Sequence, residues 1–284
     1  MGLEQKICII TGATDGIGKE TACQLAKLNY DIYIIARNEQ KCITTIGELK
    51  SINNKNKYGY FIADFEHLDE VKNVALKIKN ELPIIDVLIN NAGAVFAKRE
   101  LTKDGFEKTF VVNHLAPFLL TNILIENIKQ AKQGRIVNVA SDSHYPGKLD
   151  FDDLHYNKNY FILKAYERSK LANVLFSNYL AKELSTTNVT VNSLHPGRVK
   201  SDIGSKNTNN FFSFAWKVID TLTGIPTADG AKTSVFLASS AAVENISGKY
   251  FDKCVAKKPS SLAQNEALAE KLWNISKQML VAYL

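Results

Sequence analysis

The sequence predicts an α/β fold, a doubly wound parallel sheet forming a single domain over residues 1–284 with a small lid insertion at about 201–226. Three observations carry that prediction. Short, almost wholly apolar runs alternate with longer stretches of helical period, the first run passes directly into a glycine-rich loop and a helix, and the spacing throughout is that of repeated βαβ units. The strand candidates are 6–11, 31–36, 58–63, 87–90, 135–140, 190–194 and 249–251. Their near-continuous apolar character is that of parallel strands covered on both faces. Helical patterns occupy 18–27, 40–52, 69–81, 105–127, 160–184 and 228–238. The rhythm lapses over 201–226, where a polar Lys206–Asn210 stretch precedes Phe211, Phe212, Phe214 and Trp216. Long irregular loops in compact domains are commonly functional, so this segment is expected to cover a pocket.

A chain of 284 residues, 45% hydrophobic and 23% charged, has the size and composition to bury a substantial core. The net charge of +6 comes from lysines scattered among Asn and Glu. No dense basic run is interleaved with aromatics, so a nucleic-acid partner is not expected. Cys8, Cys23, Cys42 and Cys254 are widely spaced, without a CxxC pair. They read as structural thiols of a reducing compartment and not as disulfides or a zinc site. His67, His114, His155 and His195 show no ligand spacing, and no metal is expected. The first strand begins at Lys6, leaving no room for a signal peptide. No stretch reaches the roughly 18 apolar residues of a transmembrane helix. Lys6 stands where a myristoylation motif needs Ser or Thr, so the expected location is cytoplasmic.

The loop after the first strand reads Thr11-Gly12-Ala13-Thr14-Asp15-Gly16-Ile17-Gly18. Gly12 permits a tight turn, Gly16 lets the backbone approach a pyrophosphate, and Gly18 permits close packing of the following helix. That helix N-terminus supplies partial positive charge to phosphates. This is a Rossmann-type dinucleotide site in which Thr14, Asp15 and Ile17 also line the loop. The second strand ends beside Arg37, where NAD sites place an acid for the ribose 2′-hydroxyl. A guanidinium there grips a 2′-phosphate, which points to NADP(H). After the third strand, Asp64 is placed either at the adenine edge or as an N-cap, with Phe65 next to it.

Tyr166 and Lys170 lie four residues apart within an apolar-periodic helix, hence on one face. An ammonium beside a phenol stabilises the phenolate and lowers a pKa that is ordinarily about 10. Asn113, Ser141 after the fifth strand, Asn91-Ala92-Gly93 after the fourth, and Pro196-Gly197 after the sixth accompany the pair. Most stand at the carboxyl ends of strands, where open parallel sheets bind ligands.

These motifs together resemble the classical short-chain dehydrogenase/reductase family over nearly the whole chain. The segments 16–22, 113–121 and 166–176, with Phe151–Leu154 and Pro226–Ala231, resemble the branch of retinol dehydrogenases and the WW-domain-containing oxidoreductase. The N-terminal hydrophobic helix of the membrane-anchored retinol dehydrogenases and the WW domains have no counterpart in this sequence. The resemblance implies that Tyr166 transfers the proton, that Ser141 hydrogen-bonds the reacting oxygen and that Lys170 holds the nicotinamide ribose. It implies that Asn113 holds a water linking Lys170 to solvent, and that Asn91, Gly93, Pro196, Gly197 and Val199 line the cofactor. In much of the family subunits pair through the helices at 105–127 and 160–184, and this branch includes monomers, so homodimer and monomer both stay open.

Ser143, His144 and Tyr145 are expected to edge the substrate pocket, with Phe212 and Trp216 lining it from the lid. Those aromatics would suit a lipophilic carbonyl or alcohol; packing on the domain or on a second subunit is the alternative. The reading is an NADP(H)-dependent oxidoreductase of carbonyl reductase or alcohol dehydrogenase type. Its rival is a non-catalytic NADP-binding sensor on the same fold.

Overall fold

Near-continuous apolar runs place the inner strands between two layers of helices, as the unbroken burial of the strands Val87–Asn90 and Gly134–Val139 shows. The computed structural model of the chain describes residues 5–197 and 226–284. Its strands are β1 (Lys6–Thr11), β2 (Tyr30–Ala36), β3 (Tyr58–Ile62), β4 (Val87–Asn90), β5 (Gly134–Val139), β6 (Val189–His195), β7 (Tyr250–Asp252) and β8 (Val255–Lys257). They form one sheet in the order β3-β2-β1-β4-β5-β6-β7-β8. All neighbours pair parallel except β7 and β8, which are antiparallel. The helices are α1 (Gly16–Lys27), α2 (Glu39–Ile52), α3 (Leu68–Glu81), α4 (Lys108–Lys129), α5 (Ile162–Glu183), α6 (Thr227–Ser239) and α7 (Glu266–Met279). Cys8 and Ile10 of β1 face one core, against α1, α2 and α6. Ile9, between them, faces the other, against α3, α4, α5 and α7.

Two elements go beyond the sequence-based expectation. β8 follows β7 through Lys253 and Cys254, whose φ values of 50° and 61° build a two-residue hairpin. Such turns ordinarily announce themselves with Asn or Gly, and neither residue is present. Helix α7 carries a legible start, since the Asn265 side chain accepts from the Leu268 N–H at 2.9 Å. Its apolar face covers α4 and α5: the Trp273 ring lies 4.7 Å from Phe118 and 4.9 Å from Tyr179. In helix α4 the expected start at Gly105 moves to Lys108. Both Glu107 carboxylate oxygens cap the helix, accepting from the Thr109 and Phe110 N–H groups at 2.8 Å.

Helix α4 also corrects the expectation about membrane-length segments. It is long and apolar enough to cross a bilayer by length and composition, yet 78% of that stretch is buried inside the fold. Its apolarity is that of a core helix with neighbours on nearly every side. Residues Val111–Leu115 form a single π turn, and Pro117 follows within one turn. The carbonyl of Asn113 would ordinarily take its helical hydrogen bond from the N–H of residue 117, and proline has none. The four cysteines are free thiols, with Cys8 and Cys42 buried.

Candidate active site

The strand order reverses direction between β1 and β4, so the crevice beyond their carboxyl ends is the position where such sheets take ligands. Gly12 leaves β1 with φ of 66°, and a Cβ there would lie 2.9 Å from the Ala92 Cα. At Gly18 an added Cβ would meet the Asn91 amide nitrogen at 2.4 Å and the Gly12 carbonyl at 2.5 Å. The loop is therefore wedged against the end of β4 with no room for side chains. Thr11 and Asn91 bolt the two together. Thr11 Oγ1 accepts from the N–H groups of Asn91 and Ala92 at 3.0 and 2.9 Å, and Asn91 Nδ2 donates to the Thr11 carbonyl at 2.9 Å. Asn91 thus spends its amide on the loop. Thr11 is a site-building residue that the glycine pattern alone did not single out.

On the opposite side the cradle is open. Nothing lies within 4 Å of where a Gly16 Cβ would point. Helix α1 starts there, capped by Asp15, whose carboxylate accepts from the Gly16 N–H, and its first turn contains no acid. Thr14 and Ile17 are half-buried beside it. The fit to a bound pyrophosphate lies in the backbone N–H groups of the helix N-terminus and the open space at Gly16, with the Asp15 carboxylate already taking the Gly16 N–H. Arg37 stands just beyond β2 with its side chain 57% exposed, 3.7 Å from Asp64 and 3.5 Å from Glu66. Of the two readings of Asp64, the cap is excluded. The N-cap of α3 is His67, and Asp64 Oδ1 instead accepts from the Glu66 N–H at 3.0 Å. Phe65, next to it, is buried among the core residues.

Ser141 follows β5 and caps a short turn, Asp142–His144. Its hydroxyl donates to Asp142 Oδ1 at 3.1 Å, and Tyr166 of α5 is close enough for the serine to bear on the acidity of its phenol. Tyr166 keeps part of its surface exposed, whereas Lys170, one helical turn on, is buried. Lys170 Nζ donates to the Val139 carbonyl at 2.9 Å and stands 5.5 Å from the centre of the Tyr166 ring. The electrostatics correct the sequence-based expectation of a depressed phenol. Burial pushes Tyr166 up to about 12, with the Ser141 hydrogen bond pulling down and the Asp142 charge pushing up. Burial brings Lys170 down to about 8. Desolvation outweighs the attraction expected from their spacing.

Asn113 is buried, and its side chain is fully engaged. Oδ1 accepts from the Ala94 N–H at 2.8 Å, while Nδ2 donates to the Ala94 carbonyl at 3.0 Å and to Ser169 Oγ at 2.9 Å. Ser169 Oγ in turn donates to the Tyr166 carbonyl at 2.7 Å. The amide therefore joins α4, α5 and the loop after β4. Any water at this residue would answer to its backbone carbonyl, which Pro117 leaves without the usual helical donor.

Among the expected pocket residues, His144 is misplaced. It is buried, with Nδ1–H donating to the Ser141 carbonyl at 2.7 Å and Nε2 accepting from the Ser260 N–H at 3.1 Å. Burial holds its pKa below the ordinary value. It is a strut behind the serine. Tyr145 is exposed, and its hydroxyl donates to the Lys258 carbonyl at 2.9 Å. Ser143 Oγ lies 3.2 Å from Ser141 Oγ, inside the cluster. Gly93 and Pro196 are half-buried, and Gly197 turns with φ of 84° just beyond β6. Val199, Phe212, Trp216 and the lid, up to residue 225, lie outside the described residues.

The family model for short chain dehydrogenases matches residues 6–210. Retinol dehydrogenase 12 of Mus musculus is 38% identical over 277 residues, covering 97% of this chain and 86% of the relative. A solved protein of Mycobacterium paratuberculosis superposes with a TM-score of 0.77 at 27% identity, covering 97% of this chain and 93% of that one. A short-chain dehydrogenase of Escherichia coli, solved with NADPH, gives a TM-score of 0.71 at 22% identity over 88% of this chain and 97% of its own. That last likeness bears on the fold alone.

Proposed function

Because this chain belongs to the short-chain dehydrogenase family and is an oxidoreductase of the retinol dehydrogenase-like branch, we propose that it reduces a lipophilic aldehyde or ketone with NADPH, or oxidises the corresponding alcohol. The observation that carries this reading is the cluster at the carboxyl end of β5, where Ser141 neighbours Tyr166 of α5 and the buried Lys170, one helical turn on, donates to the Val139 carbonyl. The glycine loop and the α1 N-terminus would hold the pyrophosphate, Arg37 the 2′-phosphate, and Lys170 the nicotinamide ribose. When bound, the nicotinamide supplies or accepts the hydride.

In the reductive direction Tyr166 gives its phenolic proton to the substrate oxygen as negative charge develops there. A phenol pushed up to about 12 stays neutral and protonated at neutral pH, so its proton is available for this step, and it is still far more acidic than the alcohol formed. The Ser141 hydroxyl donates to the same oxygen, as an oxyanion-hole donor does. Pro117 cannot donate to the Asn113 carbonyl, which leaves that carbonyl able to hold a water that returns a proton towards Lys170. The retinoid, isoprenoid, steroid and aromatic carbonyls form the substrate panel, in keeping with the retinol dehydrogenase relatives.

The test is NADPH oxidation across that panel by the wild-type chain and by Tyr166→Phe. Turnover should fall by about a thousandfold, within the range set by loss of a general acid, with NADPH affinity largely kept. Tight NADPH binding without turnover on any carbonyl or alcohol would instead support a cofactor-sensing protein, and full activity of the variant would overturn the assignment.

A further inference from the structure

Arg37 is the near end of a line of charges that runs from β2 to the start of α4. Its NH1 lies 3.5 Å from Glu66 Oε1 and 3.7 Å from Asp64 Oδ2, both longer than a hydrogen bond. Glu66 is fixed from its other side, where Oε2 stands 2.9 Å from Lys108 Nζ. Lys108, the first residue of α4, is itself held in place. Its ammonium donates to Glu100 Oε2 at 2.8 Å and sits 5.4 Å from the centre of the Phe96 ring, and its backbone N–H donates to the Glu100 carbonyl at 3.0 Å. Glu100 and Glu66 hold that ammonium above its ordinary pKa, so it stays cationic. The main chain of Glu66 is tied as well, its N–H donating to Asp64 Oδ1 at 3.0 Å. The Glu66 side chain is only 17% exposed, against 57% for Arg37. Three carboxylates thus share two cations, and the mobile partner of the pair at the crevice is the arginine.

We propose that Glu66 is a specificity-determining residue of this site: it works against a 2′-phosphate and narrows the preference for NADPH over NADH that Arg37 creates. The proposal rests on the NADP(H) reading of Arg37 above. A 2′-phosphate that grips the guanidinium must share it with a carboxylate already 3.5 Å away, and the two anions repel each other. Glu66 cannot swing clear without giving up Lys108. A 2′-hydroxyl is uncharged, so NADH meets the same carboxylate without that repulsion. A contact longer than a hydrogen bond does not orient a mostly exposed guanidinium, so Glu66 opposes the phosphate more than it aims the arginine. Asp64 is the weaker opponent. It stands further from Arg37, its side chain is 28% exposed and so better screened, and one of its oxygens is spent on the Glu66 N–H.

Glu66→Gln removes the charge while keeping the side-chain length and an oxygen for Lys108. In fluorescence titrations of the full chain, which need no substrate, NADPH should bind about three- to tenfold more tightly to this variant, the range for a partly screened charge pair. NADH should stay within about twofold. The gain should shrink as NaCl rises from about 0.1 to 1 M, because the Debye length falls from about 10 to 3 Å; a loosened turn would show no such dependence. Lys108→Gln approaches the same carboxylate from the other side. It strips Glu66 of its neutralising partner, so NADPH should bind several-fold more weakly with NADH held, and adding Glu66→Gln should bring NADPH back at least to the wild-type affinity. Weaker NADPH binding in Glu66→Gln, equal changes for the two cofactors, a gain that salt leaves intact, or a double variant as weak as Lys108→Gln would each overturn the proposal. Arg37→Asp separates it from the reading beneath. NADPH affinity that falls in Arg37→Asp and is unmoved in Glu66→Gln sinks this proposal alone, whereas NADPH affinity unmoved in both sinks the NADP(H) reading with it.

Discussion

The two halves of the crevice are built by opposite means. On the β1–α1 side the backbone does the work: glycines allow a turn that side chains would block, and the loop is pinned to β4 by Thr11 and Asn91. On the β5–α5 side buried polar side chains do it, each with a specific partner, as Asn113 with Ala94 and Ser169 or Lys170 with the Val139 carbonyl. The first design tolerates change in most neighbouring side chains and fails when a Cβ is added. The second is indifferent to added atoms at its rim and sensitive to the loss, or the charging, of any one buried group.

The largest effect should come from charging the second half at its base. His114 is buried one residue from Asn113, ringed by Phe110, Phe118 and Phe176, with Nε2 2.8 Å from Ser276 Oγ and Nδ1 without a partner among the described residues. Burial pushes its pKa down to about 3 from the ordinary 6.5. Between those values the unfolded chain binds a proton that the folded chain refuses, so stability rises with pH through this window and is lost as pH falls from about 6.5 towards 3. At pH 4 the loss from this residue should reach roughly 3 kcal/mol, at about 1.4 kcal/mol per pH unit. Urea midpoints at pH 7 and pH 4 check it: the difference should shrink by that amount in His114→Gln. Equal differences in both proteins would mean that the imidazole is hydrated in the fold.

Next in size is the matching insult to the first half. Gly12→Ala imposes the left-handed conformation on a residue with a side chain, about 1–2 kcal/mol, and presses its Cβ against the Ala92 backbone. A total of about 3 kcal/mol is expected, within the range for strained and overpacked sites, with NADPH affinity falling alongside. Gly16→Ala is the contrast, since without cofactor its Cβ would meet only open space and only the conformational cost applies to stability. Calorimetry with and without NADPH distinguishes them. Similar losses in both variants would show that conformation, and not the wedge against β4, is what position 12 requires.

The same contrast explains what could be read in advance. The glycine loop, the strands flanking it and the Tyr166–Lys170 spacing were legible because each is a local demand on residue type: a positive φ, a buried strand, one face of a helix. Partners were not legible. Nothing near Asn113 in sequence announces Ala94, 19 positions away, or Ser169, 56 away. His144 looked like a rim residue because it follows the serine, and it is buried because β7 brings Tyr250 onto its ring at 4.6 Å. The phenol–ammonium spacing was right while its electrostatic consequence was not, since spacing carries no information on desolvation. β8 escaped because its turn uses Lys253 and Cys254 where such hairpins favour Asn and Gly.

Arg37 sharpens the comparison from its exposed edge. It belongs to the backbone-built half, yet as a predicted contact it depends on a side chain, and it is mostly exposed with two carboxylates 3.5–3.7 Å away. Exposed pairs of this kind contribute little to stability, about 0–1 kcal/mol, so Arg37→Asp should leave the unfolding midpoint nearly unchanged. A guanidinium meeting a phosphate is worth more, roughly 1.5–3 kcal/mol for a charged hydrogen bond. NADPH should therefore bind about 10- to 100-fold more weakly to the variant, while NADH affinity holds or improves, because the new carboxylate offers an acceptor to the 2′-hydroxyl. Fluorescence titration with both cofactors measures the split. Equal losses for NADPH and NADH would mean that Arg37 serves Asp64 and Glu66 as a surface tie, and that the preference between cofactors is set by the loop itself.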